Sequence, residues 1–113
     1  MKYKRGKLKD TVGTSKKGEI RTNLAVYNRI VDLFGEPYIY SDLAFRHGSP
    51  QVEWVIKFDD GTIANIYDRI EVNPKKNKEW TIGGNSEKAL YYIVALVLKH
   101  YRSLIKRAFG DHK

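Results

Sequence analysis

Cysteine is absent from this chain of 113 residues, and histidine and proline are scarce, with three of each. The absence of cysteine excludes a disulfide scaffold, thiolate zinc sites and a cysteine nucleophile. No run of apolar residues reaches the roughly 18 that span a bilayer, and the polar N-terminus lacks the apolar segment of a secretory signal. We therefore expect a soluble protein that is not secreted and has no membrane partner.

Positive charge is in excess and is concentrated at the two ends of the chain. The formal net charge is +8, from 21 Lys and Arg against 13 Asp and Glu. Residues 1–22 hold eight of the cations and residues 99–113 hold five, whereas the body between them is slightly acidic. Such segregation is typical of proteins that bind polyanions. The alternative is that the charged ends only keep the protein in solution.

The first 21 residues contain three glycines, few apolar side chains and no amphipathic period. This composition predicts a flexible basic arm over residues 1–21, followed by a single domain over residues 22–113. Such an arm would follow phosphates by charge alone and would lose affinity steeply as salt rises. A basic stripe on the last helix would add a fixed docking face. The candidate nucleic-acid-binding residues are Lys2, Lys4, Arg5, Lys7, Lys9, Lys16, Lys17, Arg21, Lys99, Arg102, Lys106 and Arg107.

Hydrophobic spacing predicts two helices. Apolar residues recur every three or four positions over residues 23–34, and Gly35 followed by Pro37 predicts the end of that helix. A longer helix is predicted from Glu87 to about Phe109, a stretch without glycine or proline. Its first half is apolar on nearly all sides, and its second half is amphipathic.

The strands are predicted between these helices. Apolar residues alternate over 52–58, and the turn at 59–61 leads into a return strand over 62–67, which together predict a hairpin. A third strand is predicted over 80–82. The order α-β-β-β-α predicts an α+β fold, with a small antiparallel sheet of three to four strands packed against two helices. Trp54, Ile56 and Phe58 share one strand face, which favours core packing over a platform for stacking bases.

No convergent set of catalytic groups is evident. None of the three histidines has metal-ligand spacing to another: His47, His100 and His112. No nucleophile elbow surrounds a serine. One acidic cluster could hold Mg²⁺, but turn and strand-end positions explain it better: Asp59, Asp60, Asp68 and Glu71. We therefore expect no catalytic residues, no metal and no cofactor.

The run Gly83-Gly84-Asn85-Ser86 leads into the second predicted helix. Free amides at a helix N-terminus, beside backbone that glycine leaves accessible, can bind a phosphate or a carboxylate. These four residues are therefore a candidate anion site. The run is not a Walker motif, because the spacing and the Lys-Ser/Thr ending are absent. A tight strand-to-helix turn is the favoured explanation of the glycines.

Three motifs carry a resemblance to known proteins. They are VEWVIKFDDG from Val52, IYD from Ile66 and EWTIGG from Glu79. Together with the segment from Tyr27 to Pro37, they resemble small, largely uncharacterised α+β proteins of bacteriophages and large DNA viruses, over about residues 24–95. The resemblance implies a viral origin, with the protein in the virion or the infected-cell interior. It implies no activity for any individual residue.

The combined expectation is a non-enzymatic viral protein that binds nucleic acid through its basic ends. It would contact phosphates without reading sequence, favour DNA over RNA and associate with the genome or the virion. The alternative is a protein-binding accessory factor: a host-defence antagonist, or a virion component that self-assembles through the second helix. A metal-dependent nuclease using Asp59, Asp60 and Asp68 is the third hypothesis.

Overall fold

The computed structural model describes residues 2–21, 26–39, 51–68 and 73–109. Within them, two helices and a six-stranded sheet form an α+β fold in which every strand pairing is antiparallel. The strands are β1 (Tyr3–Arg5), β2 (Ser15–Arg21), β3 (Tyr38–Ile39), β4 (Val52–Phe58), β5 (Ile63–Tyr67) and β6 (Glu79–Gly84), and the helices are α1 (Tyr27–Phe34) and α2 (Lys88–Phe109). The predicted fold class and antiparallel sheet are confirmed, but the predicted three to four strands are too few.

The sheet order is β1-β4-β5-β6-β2, and β3 lies beside β1 along the same edge of β4. The N-terminal residues therefore supply a strand at each edge of the sheet. This finding corrects the prediction of a flexible arm over residues 1–21. β1 pairs Tyr3 with Phe58, and β2 runs along β6 until Arg21 lies opposite Glu79. Sequence periodicity missed these strands because β2 buries only Ile20 and otherwise consists of polar residues and glycine.

The hairpin and α2 lie where apolar spacing predicts them, and α1 ends where predicted but begins at Tyr27, later than the predicted start at residue 23. β4 and β5 pair from Glu53 opposite Tyr67 to Lys57 opposite Ile63. Gly35 follows α1 with a φ of +84°, which suits the residue predicted to end that helix. β6 extends through Gly83 and Gly84, so these glycines continue the third strand rather than break it.

The hydrophobic core lies between the sheet and the two helices. Trp54 and Trp80 are fully buried there, with ring centroids 5.3 Å apart in an edge-to-face arrangement. Trp54 also donates a hydrogen bond of 2.8 Å from its indole nitrogen to the carbonyl of Gly35, which ties α1 to the sheet. The predicted core role of the strand-borne aromatics is confirmed. Within the described residues, neither helix combines the length and apolar character needed to cross a bilayer.

Candidate nucleic-acid interface

The sheet face opposite the helices is partly covered by the N-terminal segment. Residues alternate along β4, so Val55 and Lys57 point away from the helical core. A 3₁₀ helix at Leu8–Thr11 crosses this face, and the carboxylate of Asp10 lies 3.7 Å from the ammonium of Lys57. The amide of Gly6 donates to the carbonyl of Val55 at 2.8 Å, which anchors the start of the crossing. We call this surface the helix-free face.

Cations from β1 and the crossing segment gather on the helix-free face. Lys4 lies directly opposite Lys57 in the β1–β4 pairing, so two ammonium groups share one face at neighbouring positions. Like charges in a cross-strand pair are destabilising by a few tenths of a kcal/mol to about 1 kcal/mol. Lys7 precedes the 3₁₀ helix and Lys9 is its second residue, and both are exposed. Asp10 offsets only part of this charge.

The β2 cations belong to the same face but are already paired with a carboxylate. The ammonium of Lys16 and the guanidinium of Arg21 each lie 2.6 Å from an oxygen of Glu19. These two hydrogen-bond donors, Lys16 first, lower the pKa of Glu19 to about 2. At neutral pH the cluster of three therefore carries a net charge of +1. Lys17, also on β2, donates to the hydroxyl of Ser15.

Two predicted cations near β1 lie outside this gathering. Arg5 stacks over the ring of Tyr38 at 4.2 Å and donates to the carbonyl of Glu36. Its guanidinium therefore joins β1 to the chain beyond α1. Lys2 is exposed beside the β4–β5 turn, where its carbonyl accepts from the amide of Asp59.

The four predicted α2 cations are exposed, but the sheet separates them from the helix-free face. The set consists of Lys99, Arg102, Lys106 and Arg107. α2 packs against β5 and β6 on the core side of the sheet, while the crossing segment lies on the other side. Apart from Lys2 and Arg5, the predicted cations are thus divided between two basic surfaces, the helix-free face and the exposed side of α2.

A polar cavity of about 300 Å³ on the helix-free face was not anticipated from the sequence. Glu53 and Asn65 form its buried wall, joined by a hydrogen bond of 2.9 Å from the Asn65 amide nitrogen to Glu53. Asn65 Oδ1 has no hydrogen-bond partner among the described residues. Burial, with the charge of Glu53 second, raises the pKa of Tyr67, which also lines the cavity. The sequence feature that could have predicted this cavity is the presence of Glu53 and Asn65 in strands that are otherwise mostly apolar.

Close packing at the end of β6 explains why positions 83 and 84 are glycine. A Cβ on Gly83 would lie 2.3 Å from Asn65 Oδ1, and one on Gly84 would lie 2.3 Å from the Ala89 Cβ. Asn85 accepts from the amide of Ile63 at 2.9 Å and so joins the turn to β5. The hydroxyl of Ser86 accepts from the amide of Lys88 in the first turn of α2. Close approach of neighbouring side chains within the sheet, rather than a turn at Gly83 and Gly84, therefore accounts for these glycines, and the candidate anion site stays a prediction.

The carboxylates of the nuclease hypothesis lie at opposite ends of the hairpin. Asp60 is in the β4–β5 turn and accepts from the Tyr92 hydroxyl at 2.6 Å, and Asp68 follows β5 and accepts from the amides of Gln51 and Val52. The five residues of β5 between them span roughly 17 Å. No group of three His, Asp or Glu in the described residues could hold a metal ion.

His100, which lies within the described part of the chain, adds no ligand to these carboxylates. His100 on α2 has its Nε2 atom 3.8 Å from the carboxylate of Asp32 on α1, which is a contact between helices. His47, His112 and Glu71 lie outside the described residues.

No family model, curated protein or solved structure matches the chain. The resemblance to phage and viral proteins therefore stays a prediction, and the candidate interface is judged on its own geometry.

Proposed function

We propose that this protein binds nucleic acid without reading sequence, using the helix-free face to contact phosphates. The observation that carries the proposal is the placement of Lys4 opposite Lys57, beside the exposed Lys7 and Lys9 of the crossing segment, where Asp10 pairs with Lys57. A cross-strand lysine pair costs stability, and a polyanion bound there would relieve the repulsion. The net charge of +8 favours the same partner at long range.

The kind of nucleic acid, the absence of enzymatic activity and the origin are proposed from the sequence. We take the partner to be DNA in preference to RNA, and the protein to be non-enzymatic, viral in origin and associated with its genome or virion. The resemblance of the β4, β5 and β6 motifs to viral proteins supports this origin. The separated positions of Asp60 and Asp68, at the two ends of one hairpin, disfavour the nuclease hypothesis.

Salt-dependent binding tests the proposal, with charge-matched variants as the comparison. Lys4, Lys7 and Lys9 are changed together to Gln in one variant, and the exposed Lys75, Lys76 and Lys78 are changed to Gln in the control. Each phosphate that the protein no longer neutralises lowers the slope of log K against log salt by about 0.9 on duplex DNA. We expect the slope of the first variant to fall by roughly 2 to 3 units and the control to keep the wild-type slope. Fluorescence anisotropy on duplex DNA, single-stranded DNA and RNA measures this.

Two outcomes would contradict the proposal. Equal decreases in the two variants would mean that net charge, rather than the helix-free face, determines binding. Wild-type binding no stronger than that of an unstructured basic peptide would remove nucleic acid as the partner. A third variant, Lys99→Gln with Arg102→Gln and Lys106→Gln, reports whether the α2 surface contributes. A larger decrease there than in the first variant would move the interface to α2.

A further inference from the structure

The side of α2 turned away from the sheet exposes large apolar side chains. The residues on the buried side of α2 are Ala89, Ile93, Leu96 and Val97. On the opposite side, residues at alternating spacings of four and three form what we call the outer stripe: Tyr91, Ala95, Leu98, Arg102, Ile105 and Phe109. Tyr91 is 69% exposed and Phe109 is 68% exposed, while Leu98 and Ile105 are 38% and 39% exposed.

This spacing is that of a coiled-coil seam. Steps of three and four average 3.5 residues, the period that keeps a stripe facing a partner helix as the two helices coil. Single exposed apolar residues are ordinary, but four large ones in line along a helix of about 33 Å make an interaction surface. We propose that the outer stripe is the seam of a homodimer, in which the α2 helices of two copies pack antiparallel. This inference does not depend on the proposed function.

Charge determines the direction of the pair. α2 carries five cations and no carboxylate: Lys88, Lys99, Arg102, Lys106 and Arg107. A parallel pair would set each cation beside its own copy. An antiparallel pair instead brings the C-terminal cations over the N-terminal half of the other α2, which begins after Glu87. Asp60 lies beside that half, held by the hydroxyl of Tyr92, and its pKa is lowered to about 2, so it is charged at neutral pH.

The stripe is also self-complementary in this direction, which is why we assign a second copy rather than an unrelated acidic helix. The antiparallel register that uses all six positions sets Tyr91 against Phe109 and the small Ala95 against Ile105. It also sets Leu98 against Arg102, whose aliphatic stem can cover the leucine while the guanidinium reaches the rim. Lys106 and Arg107 of one copy are then level with Val94 and Ile93 of the other, within two residues of the Tyr92 that holds Asp60.

Disulfide crosslinking tests direction and register together, because the protein has no cysteine of its own. The double variant Ala95→Cys with Ile105→Cys would crosslink in a pair of either direction, but in the antiparallel pair each cysteine lies opposite the other position. We therefore expect a crosslinked dimer after mild oxidation from the double variant and from a mixture of the two single variants, and little from either single variant alone. Leu98→Cys would meet its own copy only in a parallel pair, so we expect little crosslinking from it. Ser103→Cys, exposed but off the stripe, is the background control.

Sedimentation of the full chain at several concentrations gives the mass independently. We expect the wild type to approach twice the chain mass of 13.1 kDa. Leu98→Glu with Ile105→Glu should raise the dimer Kd by roughly tenfold or more, with an unchanged circular dichroism spectrum because both side chains are partly exposed. A wild type that stays at one chain mass, or crosslinking of Leu98→Cys or of either single variant as fast as that of the double variant, would overturn the proposal. Wild-type monomers that bind an acidic helical peptide would assign the stripe to a different partner.

Discussion

Glu19 determines how much charge β2 presents on the helix-free face. Its side chain is 13% exposed, whereas that of Arg21 is 67% exposed, so the carboxylate lies beneath the guanidinium that it neutralises. Lys16 reaches the other oxygen of the same carboxylate. One residue therefore orders two cations across a face that otherwise repels itself. Nothing in the local sequence distinguishes this glutamate from the other acidic residues of the chain.

The pKa of Glu19 predicts an acid-labile contribution to stability. Its folded-state pKa is about 2, below the ordinary value of 4.5, so its ion pairs stabilise the fold above about pH 4.5 and this contribution is lost as pH falls toward 2. Asp10 and Asp60 have lowered pKa values and act in the same direction, while burial raises the pKa of Asp68, which acts in the opposite direction. We expect urea-unfolding stability between pH 6 and pH 2 to fall less in Glu19→Gln than in the wild type.

The comparison for this prediction is Glu87→Gln, which removes an equal charge from an exposed site outside the Glu19 cluster. If Glu19→Gln and the wild type lose stability in parallel across this range, the ion pairs with Lys16 and Arg21 do not contribute to folding.

The contact between the strands β5 and β6 requires glycine, which has no side chain, at position 83. Gly83 lies opposite Asn65 in the strand pairing, and Asn65 Oδ1 occupies the space that a Cβ would need. Asn65 is held in turn by its hydrogen bond to Glu53 on β4. Three strands are thus coupled through polar side chains on the helix-free face.

A double-mutant cycle measures this coupling. Gly83→Ala should destabilise the protein by about 1 to 3 kcal/mol, because the added methyl group overpacks a buried site. In the Asn65→Ala background, the same change should cost clearly less, since the clashing side chain has been removed. Denaturant unfolding of the four proteins gives the two costs. Equal costs in both backgrounds would show that the Asn65 contact does not explain the glycine.

The elements predicted correctly from the sequence are those with a regular apolar period. The β4–β5 hairpin and α2 each repeat apolar residues over several turns or strand pairs, so their own sequences determine them. β1 and β2 escaped detection because their stability comes from pairing with β4 and β6, not from an apolar pattern. The candidate cations were identified by residue type. Their division between two surfaces, and the pairing of Lys16 and Arg21 with Glu19, depend on contacts that spacing does not encode.

In the whole protein, the N-terminal segment contributes the strands β1 and β2 to the sheet and is not a separate arm. Tyr3 packs its ring against Phe34 and Phe58 at 5.5 and 5.9 Å, and Ile20 is 8% exposed within the core. Val55 is 2% exposed, on the face that the crossing segment covers. Removing residues 1–21 would leave β6 without its partner strand β2 and β4 without its partner strand β1.

Deletion of residues 1–21 should therefore abolish cooperative folding. We expect the shortened chain to lose its thermal unfolding transition and to aggregate, because two strand edges become available for pairing with other chains. Circular dichroism melting and size-exclusion chromatography measure this. The variant with Lys4, Lys7 and Lys9 changed to Gln keeps both strands and should melt cooperatively. A folded, monomeric 22–113 chain would restore the interpretation of the N-terminus as a separable arm.

The pairing of β2 with β6 has a consequence for synthesis on the ribosome. β2 is made early, but its partner ends at Gly84, so β2 must wait unpaired until most of the chain has emerged. Contacts between such distant segments slow folding and prolong that exposure. Lysines on an exposed strand discourage it from adding to the sheet of another chain. The positive charge of β2 therefore disfavours pairing of this strand with other chains while the nascent protein is still incomplete.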